Sequence, residues 1–151
     1  MNPYFEQKIL SVDPIELIRL VYQRARSSVA DAREHLRNKR ILERSTAINR
    51  AYMALHELNS ALQPEVAPEL CGRLQSLYLY MQKRLLEANL RQEDAPLAEV
   101  LKLLTTLEEG WSGAAKELSA GRGQVREINR EDHGSQHLNG MPAPPTYALT
   151  A

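Results

Sequence analysis

Between residues 13 and 119 proline occurs at positions 14, 64, 68 and 96 and nowhere else, and each falls where a helical apolar rhythm starts or stops. A proline inside a helix removes a hydrogen bond and clashes with the preceding turn, whereas in the first turn it costs nothing, because that N–H has no partner. The chain is therefore cut into helical lengths. Asp13-Pro14-Ile15-Glu16 reads as a helix start, with Asp13 as cap, Pro14 at the first helical position and Glu16 reaching back as in a capping box. From there Ile15, Ile18, Val21, Tyr22, Ala25, Val29, Ala32 and Leu36 form one stripe that ends at Asn38 and Lys39. A second helix is expected from Ile41 to Leu62, with Ile48, Ala51, Tyr52, Leu55, Leu58 and Leu62 on one side and Pro64 ending it. Pro68 opens a third, continuing to Arg91. Asp94 and Pro96 open a fourth, whose stripe is Leu97, Val100, Leu101, Leu104, Leu107, Trp111 and Leu118.

Four amphipathic helices joined by short connections predict an all-α chain folded as an antiparallel four-helix bundle. The bundle spans residues 13–119, after a short N-terminal segment, residues 1–12. From residue 120 Gly, Arg, Asn, His and Pro accumulate up to the run MPAPPTY, which predicts a disordered tail over residues 120–151.

The third helix carries a second message. In LYLYMQKRLLEANL, Leu77 to Leu90, the core stripe is Leu70, Leu74, Leu77, Tyr78, Met81, Leu85 and Ala88. At about 100° per residue, Leu79, Leu86 and Leu90 land on the opposite side. An apolar row behind the core costs solubility unless something covers it. The cover is a partner, a second copy, or the N-terminal segment, where Tyr4, Phe5, Ile9, Leu10 and Val12 are too apolar to trail in water. Leu17 and Leu20 lie off the first helix's stripe and are candidates for the same surface. Tyr80, one turn before Arg84, either packs with it on the surface or meets a ligand chain.

Catalytic and metal patterns are absent from the sequence. The residues three before His35, His56, His133 and His137 are Ala32, Met53, Arg130 and Gly134, so the Glu-x-x-His pairs of di-metal bundles are missing. No phosphate loop, HExxH or nucleophile motif occurs. Neither enzyme activity nor cofactor is expected. Cys71 reads as a small buried hydrophobe. Tyr22, Tyr52 and Tyr78 read as core residues with hydroxyls at the rim. Nineteen basic residues balance nineteen acidic ones, so no overall field draws the chain to nucleic acid. The local cluster Arg33, Arg37, Lys39, Arg40 and Arg44 reads as a solvated bundle end complementing a helix C-terminus. No run approaches the ~20 apolar residues of a membrane span, and MNPYFEQKIL is not a signal peptide, so a cytoplasmic protein is expected.

The order of segments resembles that of the flagellin export chaperones, the FliS family. The matching features are Tyr4, SVDPIELI from Ser11 to Ile18, LVYQRAR from Leu20 to Arg26 and INRAYMALHELNSAL. LQSLYLYMQKRLLEANL from Leu74 to Leu90 follows, and then LAEVLKLL with Trp111 after it. The resemblance implies a bundle that holds the disordered C-terminal segment of flagellin, prevents premature polymerisation in the cytoplasm and assists delivery to the flagellar export apparatus. It implies no cofactor, and it makes Tyr4 an anchor, either as part of a lid or as a client contact. The expected partner-binding residues are Tyr4, Ile9, Leu10, Leu17, Leu20, Leu79, Tyr80, Arg84, Leu86 and Leu90, on a monomer or weak dimer. The alternative is a generic helical adaptor or self-associating scaffold whose second apolar stripe pairs with itself.

Overall fold

The computed structural model describes the backbone of residues 14–134 and the side chains of residues 14–114, 116, 117 and 120. Four helices follow one another: α1 (Pro14–Arg37), α2 (Ile41–Ser60), α3 (Pro68–Arg91) and α4 (Asp94–Gly134). Pro14 and Pro68 stand at the first positions of α1 and α3, as the punctuation predicts. The α1–α2 connection is a tight reversal. The Lys39 N–H donates to the Leu36 carbonyl and the Arg40 N–H to the His35 carbonyl, with Lys39 in the left-handed region at φ 56°. This pair of bonds closes the open carbonyls of the last turn, and glycine is the residue that usually supplies it. Gln92, at φ 56°, is likewise left-handed at the end of α3.

The bundle lies within residues 1–115. Its core is Tyr22, Ala25, Val29 and Ala32 from α1, the stripe from Ala47 to Leu58 on α2, Tyr78, Met81, Leu85 and Ala88 from α3, and Leu97, Val100 and Leu104 from α4. α1 and α2 both bury small residues, Ala25 and Ala32 on one and Ala47, Ala51 and Ala54 on the other, and their backbones approach closely. Leu70, assigned to the α3 core stripe, is 57% exposed, because it stands in the first turn of α3, beyond the packed section of the bundle. The α4 backbone also stays helical past residue 119, to Gly134. Ala, Gln, Glu and Arg in this stretch are good helix formers, and this local propensity outweighs the compositional shift. Residues 116–134 belong to a second unit, of which the helical backbone is described. Residues 1–13 and 135–151, and with them the whole of the expected N-terminal segment, the expected Asp13 cap and the end of the expected tail, lie outside the described residues.

The hydroxyls of Tyr22 and Tyr78 do not reach the rim. Tyr22 of α1 and Tyr78 of α3 are fully buried and hydrogen-bond to each other through their hydroxyls, while Trp111 of α4 donates from Nε1 to the Tyr22 hydroxyl at 3.0 Å. The rings pack at 6.4 Å between centroids, tilted by 57° and 44°. Burial pushes both hydroxyls above the usual tyrosine range, Tyr78 well above it, so both stay protonated and remain donors. Three helices thus share one polar chain inside an apolar core, and its middle member is Tyr22.

Because a buried polar group left unpaired costs about 1–3 kcal/mol, Tyr22→Phe should destabilise more than Tyr78→Phe. The first strands both the Trp111 N–H and the Tyr78 hydroxyl, about 2–4 kcal/mol; the second leaves the Trp111 bond intact, about 1–2 kcal/mol. Urea denaturation followed by Trp111 fluorescence measures both, and equal losses would contradict the chain as described.

Candidate functional site

The outward side of α3 carries Leu79, Leu86 and Leu90 at 53%, 54% and 83% exposure, so the second apolar row is open to solvent. Polar side chains between this row and the core stripe fix where it lies. Gln82 donates to the Tyr52 carbonyl at 3.2 Å, and the Asn89 amide oxygen accepts from Arg44 Nε and from the Ser45 hydroxyl, both at 3.1 Å. These bonds set the antiparallel register of α2 and α3: Asn89 is level with Arg44 and Gln82 with Tyr52. The leucine row therefore runs beside α2, with Leu90 at the end where Ile41 and Leu42 are exposed.

Arg44 is 4% exposed, so its guanidinium is held inside the α2–α3 seam by Asn89 and does not join the basic cluster. Arg33 leaves the cluster too, donating two bonds to the Asp94 carboxylate at 2.8 and 2.9 Å and tying α1 to the start of α4. The expected basic end is thus divided between two structural contacts, which separates its charges.

The other expected contacts fall on different faces. Tyr80 and Arg84 point toward α4, where Tyr80 donates to Glu99 Oε1 and Arg84 Nε donates to Glu99 Oε2 at 2.9 Å. Arg84 also meets Glu87 at 2.8 Å. Leu20 is exposed and Leu17 half-buried on the flank of α1 that reaches α2 through the Arg24–Glu57 and Arg50–Asp31 pairs. α1 and α3 are diagonal: each has its surface pairs with α2 and α4, and they meet through Tyr22 and Tyr78 inside. Leu17 and Leu20 are therefore separated from the leucine row by α2. Tyr4, Ile9 and Leu10 lie outside the described residues.

One feature escaped the sequence reading. At the end where α1 begins, an apolar cavity of about 290 Å³ opens among Ile15, Ile18, Leu62, Leu74, Tyr78 and Trp111, with Cys71 in its wall and the exposed Val66 and Leu70 at its edge. The sequence signal for it was Val66, an apolar residue in a proline-flanked connection. On the other side of the first turns of α1, Pro14, Leu17, Ile18 and Val21 line a second concavity. Among the described residues no group of His, Cys, Asp and Glu is arranged to hold a metal ion, and no helix is long and apolar enough to cross a membrane.

Two predictions follow from this geometry. Leu86→Asp should change stability by about 0.5 kcal/mol or less, as surface substitutions do, whereas Met81→Asp buries an unpaired carboxylate and should unfold the bundle. Circular dichroism melts compare them; similar melts would refute the two-face arrangement of α3. The second concerns acid. The bonds from Arg33 hold the Asp94 carboxyl below its ordinary range, and those from Tyr80 and then Arg84 do the same for Glu99. A depressed folded value contributes stability that is fully present above the unfolded carboxylate value of about 4 and is lost as pH falls through the folded value. Stability should therefore drop below pH ~4 by less in Asp94→Asn than in the parent chain. Urea midpoints between pH 2 and 6 test this, and identical acid slopes would exclude the linkage.

The family model described as flagellar protein FliS matches residues 1–118 of this chain. The flagellar secretion chaperone FliSB of Pseudomonas aeruginosa is 35% identical over 108 residues, covering 72% of this chain and 86% of the relative. The flagellar secretion chaperone FliS of Salmonella typhimurium is 32% identical over 107 residues, covering 70% and 79%. That of Bacillus subtilis is 28% identical over 137 residues, covering 89% and 94%. A solved structure described as a flagellar chaperone from bacteria superposes with a TM-score of 0.66 at 19% identity, covering 76% of this chain and 94% of that one, and shows the same fold.

Proposed function

This chain belongs to the flagellar FliS family, and from that premise we propose that it is a flagellar secretion chaperone whose client is the disordered C-terminal segment of flagellin. In this reading the chaperone acts in the cytoplasm. It covers the client's oligomerising surface to prevent premature polymerisation, and assists transfer to the export apparatus. The observation that carries the reading is the open leucine row of α3 beside a seam pinned by Gln82 and Asn89. An amphipathic client helix laid along the row would place its apolar face on Leu79, Leu86 and Leu90, with anchors three or four residues apart. Each buried aliphatic anchor contributes on the order of 1.5–3 kcal/mol before the cost of ordering the client is subtracted. A pinned seam keeps that cost on the client's side, since the surface itself is already in place.

Titration calorimetry of the full chain with a peptide of the flagellin C-terminal segment should show binding with a negative heat-capacity change and a favourable enthalpy opposed by ordering entropy. Leu86→Asp or Leu90→Asp should weaken it at least tenfold while leaving the fold intact, which corresponds to about 1.4 kcal/mol or more. Absence of binding at high micromolar peptide would falsify the client assignment. Sedimentation of the chain alone tests the alternative that the row pairs with a second copy: a dimer that the peptide leaves undisturbed would favour the scaffold reading.

A further inference from the structure

α4 carries glycine at positions 110 and 113, one on either side of Trp111. Within a helix glycine is weaker than alanine, because more backbone freedom is lost on folding, and it is often kept where a side chain would collide with a neighbour. Neither position has that reason. Both are exposed, and a β-carbon built at Gly110 or Gly113 would meet no atom within 4 Å. The sequence has thus weakened one turn of α4 where packing does not demand it.

The residue inside that turn is a wall of the end cavity. Trp111 lines it together with Tyr78 and Cys71, and is held to the core by its 3.0 Å bond to the Tyr22 hydroxyl and by tilted ring packing. The fully buried anchors of α4 are farther up, at Leu97, Val100 and Leu104. Opening the Trp111 turn therefore gives up the Trp111–Tyr22 contacts but none of these fully buried anchors, which is the condition for unfolding locally and apart from the rest of the bundle.

We propose that the Gly110–Gly113 turn is a hinge that widens the end cavity: the turn unwinds, Trp111 leaves Tyr22, and the cavity wall formed by α4 swings away, while Tyr22 stays bonded to Tyr78 and the rest of the core stays folded. The hinge is independent of what the chaperone binds, and its test uses the full chain alone. In a helix the amides of residues 114–117 donate to the carbonyls of residues 110–113, so hydrogen exchange there reports the turn directly. In the chain carrying Gly110→Ala and Gly113→Ala, each alanine should make the opening about fivefold rarer, the equivalent of about 1 kcal/mol of helix preference. Exchange at residues 111–117 should then slow about 25-fold, with residues 97–104 changed less than twofold. Unchanged exchange at residues 111–117, or equal slowing at residues 97–104, would overturn the hinge.

Discussion

The buried hydrogen bond between Tyr22 and Tyr78, which Trp111 extends, is the contact on which the arrangement of the bundle rests. An apolar core alone tolerates sliding and rotation of helices, because leucine packs against leucine in many registers. Hydroxyls buried in that core have few satisfactory positions, and leaving one unpaired is costly. The diagonal helices α1 and α3 must therefore meet at the level of Tyr22 and Tyr78, and α4 must bring Trp111 to the same level. The surface pairs Arg33–Asp94 and Arg84–Glu99 agree with that placement. Being partly exposed, they add less energy than alignment.

The polar seam between α2 and α3 has the complementary task. Arg44 is a cation inside the protein, and Asn89 is the group that makes its position tolerable. With Gln82 on the Tyr52 carbonyl, it fixes α3 both along and about its axis relative to α2. A helix so fixed can present leucines outward without turning them into the core. This answers how α3 carries apolar residues on two sides: the inner stripe is held by packing, and the outer row is kept outside by the polar residues between. The surface that results is preformed, which suits a client that arrives disordered and supplies the ordering itself.

Periodicity made the helices, their order and the outer leucine row of α3 legible, because the side on which a residue falls depends on a rotation of about 100° per residue and on nothing distant. Pro14 and Pro68 marked helix starts for an equally local reason, the absent N–H. The α4 backbone runs on to Gly134 past the compositional change at residue 120, because helix-forming strength belongs to single residues and composition to the stretch as a whole.

Tertiary structure decided what depends on residues far apart in the chain. It turned Tyr22 and Tyr78 toward each other, drew Arg33 and Arg44 out of a supposed basic cluster, and committed Tyr80 and Arg84 to Glu99. It also put α2 between Leu20 and the α3 row, and assembled the end cavity from α1, α3, α4 and a connection. A stripe on one helix records that it will be buried, but not which helix will cover it. By itself the sequence determined four helices and their faces; neighbours, pairings and cavities were decided by packing, since they arise where surfaces from distant segments must fill the same space.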